Sequence, residues 1–132
     1  LLNDTIKQNI FYESGKLDND KFNSAIEQSQ FDKVINSYPN KENTIISENG
    51  GNFSGGQIKR LALARALYRD PDLLIMDETT SSLDSESEDK ILSNLVNLKN
   101  NKLIIIISHD KRIFKYCDKV FKLENGKLTL EN

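Results

Sequence analysis

Leu73-Leu74-Ile75-Met76-Asp77-Glu78 is an apolar run that ends in two adjacent carboxylates, and a second apolar run, Leu103 to Ile107, follows it. Between them, Ser85 to Leu98 has helical spacing. A strand, a helix and another continuous apolar strand predict a mostly parallel sheet whose strands are buried on both faces. Upstream, Ser54 to Arg69 reads as a helix, with Ile58, Leu61, Ala62, Ala66 and Leu67 as its apolar stripe. Earlier still, three short amphipathic helices are predicted from Ile6, Ile10 and Phe11, from Phe22 and Ile26, and from Phe31, Val34 and Ile35. The texture changes near Gly50 and Gly51. Downstream, Lys111 to Tyr116 reads as a helical turn. Val120 to Leu123 and Lys127 to Leu130 flank Glu124-Asn125-Gly126, a hairpin signal.

Composition bounds the function. The 132 residues are 37% hydrophobic and 29% charged, the balance of a soluble globular domain. With 18 Lys and Arg against 20 Asp and Glu, the net charge of -2 gives no support to a nucleic-acid partner. Cys117 is the single cysteine, which excludes an internal disulfide and a multi-cysteine metal site and fits a reducing compartment. The longest apolar stretch, Leu103 to Ile107, falls far short of the roughly 18 residues of a membrane span. No basic run followed by an apolar one marks a signal peptide. The chain starts at Leu1 rather than Met, so it is expected to be a piece of a longer protein.

Four clusters carry chemistry. Ser54-Gly55-Gly56-Gln57 opens the long helix, where unpaired N–H groups and the positive dipole end can hold a phosphate and glycines let it approach. Ser54 with Gln57 also reads as a capping box, and both readings stand. Asp77 and Glu78 emerge at the carboxyl end of a strand, where ligands of open α/β sheets collect. Asp77 can hold Mg²⁺ directly or through water, and Glu78 can act as base toward an attacking water. Equally, one acid can end the strand and the other cap a turn. Ser81-Ser82-Leu83-Asp84 leads into the next helix; Ser85 with Glu88 reads as a capping box there, and Asp84 suits the helix dipole. His109 ends the second strand, beside the one that bears Asp77, within reach of the same phosphate. Lys59, Arg60, Arg65 and Arg69 read as a solvated face, with Arg60 the one engaged; Met76 and Cys117 read as core or surface.

Taken together, these motifs, with Asp77 about twenty residues after Ser54 in the chain, resemble the ATPase domain of the ATP-binding cassette (ABC) superfamily. The resemblance runs from about Leu1 to the C-terminus. It implies that Ser54 to Gln57 is the signature motif, Asp77 and Glu78 the Walker B pair, Ser82 to Asp84 the D-loop and His109 the switch histidine. The implied roles are Glu78 as catalytic base with His109 at the γ phosphate, Asp77 at Mg²⁺, and Ser54, Gly55, Gly56, Gln57 and Asp84 at ATP. Leu2 to Ile10 and Ser47 to Gly51 resemble segments of exporter-type members. Phe53, Thr79, Ser82 and Asp110 depart from the commonest residues of the family.

A complete cassette also carries G-x-x-x-x-G-K-[ST], and this sequence has none: Gly15-Lys16 and Gly126-Lys127 are each followed by Leu. The expectation is therefore the C-terminal part of a P-loop NTPase (RecA-like) α/β core together with the ABC helical subdomain. Residues 1–70 would form the helical part and 71–132 the second half of the core. The resemblance implies as partners the missing N-terminal half, a second ATPase domain that closes an ATP sandwich, and a transmembrane domain, at the cytoplasmic side of a membrane. The isolated piece is expected to be marginal or prone to association, and inactive by itself. The alternatives are a soluble ABC ATPase that works on DNA or the ribosome, and a non-hydrolysing interaction fragment.

Overall fold

In the computed structural model, residues 1–12, 16–47, 50–99 and 101–131 are described. Of the segments read above, Gly15, Glu48 and Asn49 lie outside them. Helices α1 (Ile6–Phe11), α2 (Asn19–Gln28) and α3 (Asp32–Asn36) precede the long α4 (Gly55–Tyr68). Strand β1 (Leu73–Asp77), helix α5 (Ser85–Leu98) and strand β2 (Leu103–Ile107) follow, then the hairpin β3 (Val120–Glu124) and β4 (Lys127–Glu131). Short 3₁₀ turns occupy Lys41–Asn43 and Lys111–Tyr116.

Local chemistry explains the helix starts. Thr5, Asp18, Ser54 and Asp84 each sit one residue before a helix, with a side-chain oxygen accepting a backbone N–H of the first turn. At α5 the cap is Asp84, which accepts from Ser87 N at 2.9 Å, rather than the expected Ser85–Glu88 box. The helix starts at Ser85, so its third residue is Ser87, and Glu88 turns inward with 7% of its surface exposed.

β1 and β2 pair in parallel, Leu73 with Leu103 through Asp77 with Ile107, across the helical crossover α5. The polypeptide therefore delivers both strands with their carboxyl ends side by side. β3 and β4 are antiparallel, joined by Asn125 and Gly126, both at positive φ (50° and 74°), the geometry of the primed two-residue turn.

One hydrophobic cluster runs through the molecule. Ile6 and Ile10 of α1, Phe31 just before α3 and Ile35 within it, Leu61 and Leu67 of α4, Met76 of β1 and Ile91 of α5 all belong to it. Helix α4 meets both α1 and α2. Its buried residues are Leu61, Leu63, Ala64, Leu67 and Tyr68, while Ala62 of the expected stripe is exposed. A helix enclosed on more than one side loses the single-stripe pattern that amphipathicity assumes. Asn9, fully buried, satisfies its amide against the carbonyls of Leu2 and Thr5 and accepts from Leu2 N and Arg65 Nη2.

The sheet differs from expectation in one respect. Leu74 and Met76 are buried, yet Leu73, Ile75, Leu103, Ile105 and Ile107 on the opposite face are exposed, Ile75 by 58%. Phe121, Leu123, Leu128 and Leu130 likewise share one exposed face of the hairpin. Strands read as doubly buried are covered here on one face only, because among the described residues no element lies over the other.

Candidate active site

The site is built on the carboxyl ends of β1 and β2. Asp77, the last residue of β1, is exposed opposite Ile107. The next residue extends the ladder by one bond, Glu78 N donating to Ile107 O at 3.0 Å. There the chain turns sharply: Glu78 has φ 49°, the left-handed region that a non-glycine residue rarely adopts. From the neighbouring strand, two residues past Ile107, His109 places Nε2 3.7 Å from Glu78 Oε1. Glu78 Oε1 is buried and has no hydrogen-bond partner among the described residues, whereas the imidazole is wholly exposed. A carboxylate oxygen left without a donor, beside an open imidazole, is an acceptor waiting for a proton-bearing group.

Asp110, the departure from the family pattern next to His109, has a local role. Its carboxylate caps the turn Lys111–Tyr116 by accepting from Arg112 N at 2.8 Å, and it takes Arg112 Nε at 2.8 Å. The Arg112 guanidinium holds the Asp110 carboxyl below the usual range. Arg112 also reaches Glu88 Oε2 and Ser85 Oγ, both at 3.3 Å, and so ties the His109 loop to the first turn of α5.

At the start of α4 the capping box is present in full. Ser54 N donates to Gln57 Oε1 at 2.9 Å, and Gln57 N donates to Ser54 Oγ at 3.3 Å. Both side chains are engaged in closing the helix end; the N–H groups of Gly55 and Gly56, first in the helix, have no intrahelical acceptor. The glycines differ. A Cβ on Gly56 would stand 3.2 Å from Ser82 O and 3.2 Å from Leu83 Cδ2, so this glycine is where the helix and the 82–83 turn approach each other. A Cβ on Gly55 would meet nothing within 4 Å. Only Gly55 faces the open space that a ligand from outside needs.

Asp77, Glu78 and His109 therefore share one edge, and Gly56 meets the turn that follows Glu78. Asp84 is exposed as the α5 cap; its carboxyl is held below the usual range by the Ser87 N–H. Of the four basic residues read as a solvated face, Arg69 at the end of α4 is exposed as expected, whereas the other three are engaged. Lys59 donates to Glu78 O at 2.6 Å and Ser81 Oγ at 2.8 Å; Arg65 donates to Asn9 O at 2.7 Å and lies over the Tyr12 ring; Arg60, singled out in the sequence, reaches Gln30 O at 3.4 Å. Lys59 was not among the candidates. No local signal marked it, because its partners lie 19 and 22 residues further along the chain.

The pattern is shared with known proteins. The model of the family described as ABC transporter matches residues 2–81. The ATP-dependent lipid A-core flippase of Saccharophagus degradans is 39% identical over 129 residues, covering 98% of this chain and 22% of that protein. The flippase of the same name from Vibrio cholerae is 39% identical over 129 residues, covering 97% of the chain and 22% of its own length. A solved structure of a bacterial Atm1-family ABC exporter with ATP bound superposes with a TM-score of 0.89 at 31% identity, over 98% of this chain and 23% of that one. The chain thus spans about a fifth of the length of the curated relatives it matches. Motif order, strand pairing and these likenesses agree: the chain belongs to the ABC transporter family, and corresponds to part of the nucleotide-binding domain of its exporter branch.

Proposed function

We propose that this chain supplies the hydrolytic edge and the signature helix of an ATP-driven exporter. The observation that carries the reading is the Glu78–His109 pair at the ends of two parallel strands, with a carboxylate oxygen that has no partner. In this reading Glu78 accepts the proton of the water that attacks the terminal phosphate, and His109 donates to an oxygen of that phosphate. The Gly55 N–H group and the Ser54 hydroxyl face the triphosphate held by a second copy of the domain, while Gly56 seats the helix start on the 82–83 turn.

The residues fit Mg²⁺ in a limited way. Among the described residues no three His, Cys, Asp or Glu side chains cluster as a metal cage. A single exposed carboxylate at Asp77 suits an ion that completes its oxygen shell with waters and phosphates. When bound, the ion would neutralise charge on the phosphate oxygens.

The division into a helical part, 1–70, and a second core half, 71–132, is part of the proposal, as is a complementary N-terminal half carrying the phosphate-binding loop. So is the setting. Two ATPase domains would close over ATP against a transmembrane domain, at the cytoplasmic side of a membrane. Among the described residues no helix is long and apolar enough to cross one. The test is Glu78→Gln in the full-length protein: steady-state ATP turnover should fall by about 10²-fold or more while ATP stays bound in a closed dimer. Undiminished turnover refutes the base assignment.

A further inference from the structure

We propose that Lys59 is a positioning residue that holds Glu78 in its working conformation. The proposal rests on the reading of Glu78 as the base and extends it to a residue of the signature helix.

Glu78 occupies a sparsely populated backbone region, which persists only where the surroundings determine both flanking peptide groups. On the amino side the determinant is the ladder, Glu78 N donating to Ile107 O at 3.0 Å. On the carboxyl side it is Lys59, beside the turn's own longer bond from Ser81 N to Glu78 O at 3.4 Å. Its ammonium donates to Glu78 O at 2.6 Å and to Ser81 Oγ at 2.8 Å, and Ser81 Oγ donates to the same carbonyl at 2.9 Å. The Glu78 carbonyl is thus held by a Lys–Ser pair, and φ at Glu78 is fixed between two pinned groups. With the backbone fixed, the side chain is directed toward His109 rather than along the strand.

Lys59 is half-buried and its partners are a carbonyl and a hydroxyl; among the described residues it is not matched to a carboxylate. A charged donor makes the stronger bond to a carbonyl. One turn earlier, Gly56 meets Ser82 O, so the 78–83 turn rests on α4 at Gly56 as well as at Lys59, and the Lys59 contact can be removed without adding bulk.

The experiment uses the full-length protein with Lys59→Met, Lys59→Arg, Ser81→Ala and Glu78→Gln. Methionine keeps the apolar stem and removes the donor. Lys59→Met should lower kcat by about tenfold or more with KM for MgATP within about twofold of the parent. Amide hydrogen exchange should quicken at residues 79–83 and stay unchanged in α1 and α2. Lys59→Arg should recover most of kcat, and Ser81→Ala should lower it by a smaller factor. Parental kcat in Lys59→Met, equal loss in Lys59→Met and Lys59→Arg, or a rise in KM at constant kcat each overturns the proposal. If Lys59→Met does not fold, parental kcat in Ser81→Ala together with loss in Lys59→Arg overturns it. Glu78→Gln separates the two levels: retained turnover there removes the base and this proposal with it, whereas loss there with parental kcat in Lys59→Met removes Lys59 alone.

Discussion

Glu78 Oε1 lies 3.7 Å from His109 Nε2, although the two residues are separated in the chain by a whole helix and a strand. Parallel pairing of β1 with β2 in the register Asp77–Ile107 is what brings them together. A helical crossover returns the second strand in the same direction as the first, so groups just past either strand end emerge on one edge.

His109→Ala should separate binding from chemistry. The imidazole is wholly exposed, so its loss leaves packing intact. ATP turnover in the full-length protein should fall by about 10²-fold, the scale of a lost donor at a developing charge. Thermal unfolding should be unchanged. A melting temperature that falls with activity would mean that His109 holds the loop rather than the phosphate.

Gly55→Ala and Gly56→Ala should diverge. The first adds a methyl to open space in a helical conformation and should raise stability by about 0.5 kcal/mol. The second presses on the Ser82 carbonyl and should cost about 1 kcal/mol or more. If Gly55 faces a partner's triphosphate, Gly55→Ala nevertheless lowers turnover. Denaturant titration beside an ATPase assay reads both quantities; equal stability of the two variants would contradict the helix–turn contact at Gly56.

The exposed sheet face predicts association of this chain when it is expressed alone. Ile75 and Ile105 are partners across the strands and both are exposed. Sedimentation velocity should show a mass that rises with concentration, and Ile75→Thr with Ile105→Thr should reduce the rise while keeping β-branched side chains in the strands. A parent chain that stays monomeric through the micromolar range would show that this face needs no cover.

Asp84 gives a pH dependence with a definite sign. The Ser87 N–H favours the charged carboxylate in the folded chain, so the folded pKa lies below the unfolded one. The stabilisation is present above the ordinary aspartate value of about 4 and is lost as pH falls through the depressed folded value. Asp84→Asn keeps a capping oxygen without a titrating charge. Its stability should therefore drop less than the parent's between neutral and strongly acidic pH; parallel losses would place the acid sensitivity elsewhere.

Much of the site was legible because its signals are local. The Ser54–Gln57 capping box, the strand ending at Asp77 and the Asn125-Gly126 turn each depend on residues a few positions apart, and each formed where the sequence placed it. The capping of α5 was misread by one position because two adjacent residues, Asp84 and Ser85, are both good caps and the choice depends on where Glu88 is buried. The α4 stripe was misread because neighbours on several sides decide burial. Lys59 looked like surface charge for the same reason: its partners are 19 and 22 residues away.

By itself the sequence determined which segments are helix and strand, where the capping box of α4 forms and which acids and imidazole are candidates, since propensity, periodicity and capping act within a few residues of chain. Tertiary structure alone decided that Glu78 turns through a left-handed conformation toward His109, that Gly56 serves a contact while Gly55 stays open, and that one face of the sheet is bare. Those outcomes depend on how distant segments fill the same space, and packing of that kind has no signature in any single stretch of chain.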